Sequence, residues 1–160
     1  MIIAFFGHSD FFFDNYQKDC FLKMLEDSLD TSPAEFYIGG YGGFDTFARN
    51  CCLEFKKVHE DARIILVTPY ITLNKNLEAF SKECDEVLYP SLESVPPKFA
   101  ISARNRWMAD KADIVICYVN HAWGGAYTAC KYCVTKGKKL INLGSLCFPN
   151  KEVSLCGDLR

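Results

Sequence analysis

An uninterrupted apolar run, "IIAFF" (Ile2 to Phe6), opens the chain and is closed by Gly7. A continuous rather than alternating run suits a strand buried on both faces, as in parallel sheets. Cys20, Phe21, Met24, Leu25 and Leu29 then recur at spacings of three and four, the period of an amphipathic helix. "AEFYI" (Ala34 to Ile38) predicts a second short strand, ended by a glycine cluster. Phe44, Phe47, Ala48, Cys51, Phe55 and Val58 mark one face of a second helix. "RIILVTPY" (Arg63 to Tyr70) predicts a strand stopped by Pro69. Further along, "LNKNLEAFSKEC" reads as a short helix and "DEVLYP" as a short strand. "PSLESVPPKF" reads as loop and "ISARNRWMADKA" as helix. "DIVICYV" (Asp113 to Val119) is another buried strand. "GGAYTACKYCVTKG" is a helix with Gly137 at its stop, and "KKLINL" is the last strand. No strong pattern follows Gly144.

Strand and helix alternate nearly throughout, with no internal repeat or linker. This predicts an α/β fold: a Rossmann-like, doubly wound, mainly parallel sheet with helices on both faces, as a single domain over residues 1–160. Functional loops in such folds lie at the carboxyl ends of the strands. Three loops occupy that edge: "GHSD", "GGYGGFD" and "NHAWGG".

Composition narrows the functions. The formal net charge is −2 and the isoelectric point about 5.9. That balance argues against nucleic acid as a partner, since binding a strand needs a positive groove. The longest apolar runs are far below a membrane span, so no membrane partner is expected. The start lacks the basic region of a signal peptide, which predicts a cytoplasmic protein. The nine cysteines are then reduced, mostly buried thiols. "CKYC" (Cys130 and Cys133) has no second Cys/His pair at zinc spacing, so no metal is expected.

The candidate chemistry lies in the three loops. Gly42-Gly43 and Gly124-Gly125 each precede a helix, whose first N–H groups are unpaired and attract anions. Neither loop matches G-x-G-x-x-G or a P-loop, and each alone suits an ordinary strand-to-helix turn. Together, and with Gly7, they point to a nucleotide-like ligand. Arg104 and Arg106 stand two apart on a helix, so one can face the site while the other meets solvent. Asn105 suits a ribose or base, or a plain surface. Asp45, in the first turn of its helix, suits a cap, a ribose contact, or a carboxylate facing a developing cation. His8 can contact phosphate, though a lone loop histidine is commonly incidental. His121 and Trp123 can stack on a base. His59, among charges, reads as surface.

The order of these motifs resembles the SLOG superfamily (named for the SMF/DprA and LOG proteins), most closely its YpsA-like branch. The likeness covers about Met1 to Leu143 and is strongest in "ISARNRWMADKADIVICYVNHAWGGAYTACKYCVTKGKKLINL". "FFGHSD" departs, with Ser9 where the branch often has Arg. The resemblance implies a Rossmann-like fold and a nucleotide-derived small molecule as ligand, held by a sensor or binding protein. By motif position, Gly7, His8, Gly42, Gly43, Asp45, Arg104, Asn105, Gly124, Gly125 and Thr128 would line the pocket. No cofactor is implied. LOG relatives cleave the N-glycosidic bond of nucleoside monophosphates, using G-G-x-G-T-x-x-E at the last loop. Here "GGAYTACKYC" lacks the Glu, so an enzyme of that type would fall back on Asp45 and Arg104 as catalytic residues. DprA-type members bind single-stranded DNA. Relatives often form dimers through exposed apolar faces, so a homodimer is an expectation, and the Phe11 to Phe13 run is a candidate contact.

Overall fold

The computed structural model describes residues 1–12, 15–29 and 33–148. Its element order is β1 (Ile2–Gly7), α1 (Asn15–Ser28), β2 (Glu35–Ile38), α2 (Gly43–Lys56), β3 (Arg63–Val67), α3 (Lys75–Ser81), β4 (Glu86–Leu88), a short 3-10 turn (Pro97–Phe99), α4 (Ala100–Lys111), β5 (Ile114–Tyr118), α5 (Gly125–Thr135) and β6 (Lys139–Asn142). Six strands form one sheet in the order β4-β3-β2-β1-β5-β6, and every neighbouring pair is parallel. This is the doubly wound α/β arrangement that the run of elements predicts.

The continuous apolar runs are explained by burial on both faces. In β1, Ile3 and Phe5 join the core under α1, α2 and α3, with Phe21, Leu25, Phe44, Phe47 and Leu77. Ala4 and Phe6 join the opposite core, under α4 and α5, with Met108, Ala109, Cys130 and Cys133. A strand that alternated apolar with polar residues would leave one of these layers without a partner.

Two strands are shorter than their apolar runs suggest. β3 stops at Val67 because Thr68 turns the chain. Its Oγ1 donates to the Tyr70 carbonyl (2.8 Å) and accepts from the Tyr70 N–H (3.2 Å). β5 ends at Tyr118 because the Val119 N–H donates to the side chain of Asn142 (2.9 Å). At the other end of β5, Asp113 accepts the Ile2 N–H (2.7 Å) and so ties the start of β1 to it. The stop at Gly137 forms as expected: the Gly137 N–H reaches the Val134 carbonyl and the Lys138 N–H the Cys133 carbonyl, each at 3.0 Å.

Of the aromatic run, Phe11 is buried, Phe12 is 87% exposed and Phe13 lies outside the described residues. Cys156 also lies outside them. Cys51, Cys52, Cys117, Cys130 and Cys133 are buried thiols that form no disulfide among the described residues. Burial pushes Cys51 and Cys133 up to about 12, far from the thiolate that metal binding and redox chemistry use. Among the described residues, no helix is long and apolar enough to cross a membrane, and no three His, Cys, Asp or Glu side chains cluster as metal ligands.

Candidate functional site

The chain runs from β1 outward through β2, β3 and β4, then returns to place β5 on the other side of β1. The carboxyl ends of β1 and β5 therefore flank the point where the winding reverses, the usual ligand position in open α/β sheets. A cavity of about 360 Å³ lies there. Its size falls within the roughly 300–1,000 Å³ range of small-molecule sites. The loop after β1 contributes Gly7, His8, Ser9 and Asp10, and the loop after β2 contributes Gly39 and Tyr41. Asp45 reaches it from α2. Ile101, Arg104 and Asn105 come from α4, and His121, Trp123, Gly124 and Gly125 from the loop after β5 and the start of α5.

Arg104 is the floor of this cavity. It is 3% exposed, while Arg106 points to solvent with its guanidinium over the Tyr132 ring. Arg104 Nη1 donates to the Val67 carbonyl (2.8 Å), and its guanidinium lies 5.5 Å from the centre of the Tyr41 ring. Gly39 makes this possible, because a Cβ there would collide with Nη1. Arg104 Nε is buried with no partner among the described residues. Desolvation pulls the guanidinium below its ordinary pKa, opposed first by Asp45. A buried cation with an unsatisfied donor is costly unless something else pairs with it.

Asp45 is buried beside it. Its Oδ2 accepts the Tyr41 N–H at 2.7 Å, which ties the loop ahead of α2 to the first turn of that helix, while Gly42 at the cap itself takes no side-chain bond. Burial pushes its carboxyl up to about 6, against the opposing pull of Arg104 and of the Tyr41 and Gly40 N–H groups. Asp45 thus stands in the first turn of α2 and lines the cavity.

His8 is 7% exposed, and its Nε2 is buried without a partner among the described residues. Its ring stacks on His121 (centroids 3.5 Å, 14°), which stacks in turn on Trp123 (3.7 Å, 19°). Burial, then the neighbouring His121, lowers the His8 pKa.

The two glycine pairs differ. Among the described residues, Gly124 and Gly125 have nothing within 4 Å of where a Cβ would stand. At Gly42 a Cβ would lie 2.6 Å from Ser9 Cα, and at Gly43 it would meet the Phe11 carbonyl oxygen. The Gly43 N–H is already used by the Ser9 carbonyl (2.9 Å). Gly42 and Gly43 therefore lie off the cavity, against the expectation, because the loop after β1 fills the space they leave. They border a separate groove with Thr46, Leu77 and Phe80. Gly7 lines the cavity, yet its missing Cβ makes room for the Phe44 ring. Thr128 also lies off the cavity, since its hydroxyl turns back to the Gly124 carbonyl (3.0 Å). His59 is held at the surface by Glu26 (2.8 Å).

The sequence reading did not single out Gly39, Tyr41, Asp10, Ile101 or Asn142. Gly39, Tyr41 and Asp10 nonetheless stand inside the loops "GGYGGFD" and "GHSD" that the sequence marks, whereas Ile101 and Asn142 leave no signal. Asn142 fixes the loop after β5. Its Oδ1 accepts from Val119 and Gly144, and its Nδ2 donates to the Val119 (3.0 Å) and Leu146 (2.7 Å) carbonyls. Asn120 adds a bond from the Ser145 N–H (2.9 Å).

No family model and no curated protein matches the chain. Solved structures do. DNA processing protein A (DprA) from Streptococcus pneumoniae is 22% identical with a TM-score of 0.60, over 88% of this chain and 49% of that one. DNA processing protein A from Helicobacter pylori, studied for its single-stranded DNA binding mode, is 18% identical with a TM-score of 0.61, over 89% and 64%. TM1055 is 14% identical with a TM-score of 0.55, over 88% and 72%. The chain thus spans about half to two thirds of the two DprA chains. These likenesses show the fold, and they are consistent with the SLOG resemblance without singling out the YpsA-like branch.

Proposed function

We propose that the chain, as a YpsA-like member of the SLOG superfamily, binds a nucleotide or nucleotide-derived ligand in the cavity between the ends of β1 and β5. The observation that carries this is Arg104: a buried guanidinium with a free donor, lining a cavity that also holds the open start of α5. An anionic ligand would pair with the charge of the Arg104 guanidinium and meet the unpaired N–H groups at the helix start. Asn105 and Asp45 supply the polar contacts that ribose hydroxyls take.

Asp45 favours a second reading, hydrolysis of an N-glycosidic bond. A carboxyl that titrates near 6 can hold or release a proton at working pH, and a carboxylate steadies the cation that forms as the base departs. Single-stranded DNA is the competing partner that the DprA likeness suggests. The net charge of −2, with Asp10 and Asp45 in the cavity, opposes it.

Purified protein incubated with nucleotides, nucleotide sugars, NAD and cyclic ADP-ribose derivatives tests all three. A raised melting temperature with intact ligand supports binding. Released base, seen by chromatography and abolished by Asp45→Asn while binding persists, supports the hydrolase. A gel shift with single-stranded DNA at low salt, without any small-molecule hit, would replace both.

A further inference from the structure

We infer that the exposed face of Trp123 is a stacking platform for a planar heteroaromatic ring, and so that the ligand is recognised through its base. This rests on the nucleotide reading above and assigns one end of the ligand.

Three rings form a ladder beside the cavity. His8 is buried at its root, His121 lies in the middle, and Trp123 is outermost and 70% exposed. The His8 and Trp123 centroids are 6.4 Å apart, as expected with one ring layered between them. One face of Trp123 is therefore covered at stacking distance, and the other is left to solvent at the edge of the cavity. An indole so placed offers an open aromatic face beside the cavity. Trp123 is also held in place. His121 Nδ1 donates to the Trp123 carbonyl (3.1 Å), and Asn142 pins the start of the same loop at Val119. A platform fixed beforehand loses little freedom when a ring is added. Ile101 of α4, 40% exposed, adds apolar surface to the same cavity.

Stacking on an aromatic face tolerates any base, because every base has a π-face. The platform thus predicts a preference for base-bearing ligands over the bare sugar phosphate, with weak discrimination among bases.

The test uses the full chain, with AMP, GMP, CMP and ribose 5-phosphate as probes, followed by calorimetry and by tryptophan fluorescence. The chain has two tryptophans. The other, Trp107, stacks on Tyr37, so Trp123→Leu isolates the signal. The nucleotides should bind at least about tenfold more tightly than ribose 5-phosphate and quench fluorescence. Trp123→Leu should remove the quench and weaken nucleotide binding about 5- to 150-fold, the range of one base–aromatic stack, while sparing ribose 5-phosphate. Trp123→Phe should keep most of the preference. The melting temperature of the unliganded variants should fall by no more than about 2–4 °C, because the side chain is largely exposed and loses only its stack on His121. Ribose 5-phosphate binding as tightly as AMP, or equal losses for both probes in Trp123→Leu, would overturn the platform and leave the nucleotide reading standing. Absence of binding by every probe would overturn both.

Discussion

The starts of α2 and α5 are built from the same parts and put to different use. Each follows a strand with two glycines, and the first of each pair caps its helix: Gly42 at φ 95°, ψ −177° and Gly124 at φ 91°, ψ 175°. That region of backbone space is open essentially to glycine alone. A threonine four residues on returns its hydroxyl to the cap carbonyl in both, Thr46 at 3.2 Å and Thr128 at 3.0 Å. What differs is the space outside. The α2 end is closed by Ser9 and Phe11 and carries its own anion, Asp45, in the first turn. The α5 end is open and has no acidic residue in its first turn. The backbone explains why glycine is needed at both caps. Only the neighbours separate an end that is finished within the fold from one able to receive a ligand.

The two helix ends should differ most in their response to a methyl group at the cap. Gly42→Ala and Gly124→Ala impose the same dihedral strain, about 1–3 kcal/mol. Gly42→Ala adds the collision with Ser9, a further loss of about 1–3 kcal/mol. Urea denaturation should find the Gly42 variant the weaker of the two, and equal losses would erase the difference between the ends.

Next in size is the internal anion. The Asp45 carboxyl holds its proton to about pH 6 in the folded protein but releases it at its ordinary value of 3.8 when unfolded. The stabilisation is therefore complete below about pH 4 and is lost as pH rises through 6, on the order of 3 kcal/mol in all. Asp45→Asn should remove this slope and gain on the wild type between pH 4 and 7. The lowered pKa of His8 works in the opposite direction, but it is common to both proteins, so the difference isolates Asp45.

The smallest effect on stability should come from Gly125→Ala. With open space around it, the new methyl should change folding by less than about 0.5 kcal/mol. It would nevertheless stand where an anion approaches the helix start, so ligand affinity should fall, as read by calorimetry.

The fold is legible in the sequence because burial on both sheet faces leaves continuous apolar runs such as Ile2 to Phe6, and periodicity then separates helix from strand. The site is legible only in part. Loop position at the strand ends is a local property, and Gly7, His8, Arg104 and Gly124 can be singled out from it. Whether a glycine faces a ligand or another loop is not local. Nothing near Gly42 or Gly43 in the chain announces that Ser9 and Phe11 fill their space. The His8–His121–Trp123 ladder joins residues more than a hundred positions apart, and its members can be suspected singly but not joined. Asn142, one amide at the end of a strand, gives no sign that it organises the loop after β5.

The pairing of β1 with β5 has a consequence for how the molecule assembles. Ile2 and Asp113, which meet where these strands begin, are separated by 111 positions. Closing that loop costs only about 1 kcal/mol more entropy than the β1–β2 crossover, but long-range pairing of this kind is slow, whereas β1, β2 and β3 can come together through shorter crossovers. The ligand cavity is walled by both sides of this long-range junction. A nascent chain that has not yet delivered β5 would hold Arg104 and Asp45 but lack the ring ladder and the open helix start. Ligand binding should therefore report on the last stage of folding, and a saturating ligand should slow unfolding by holding that seam closed.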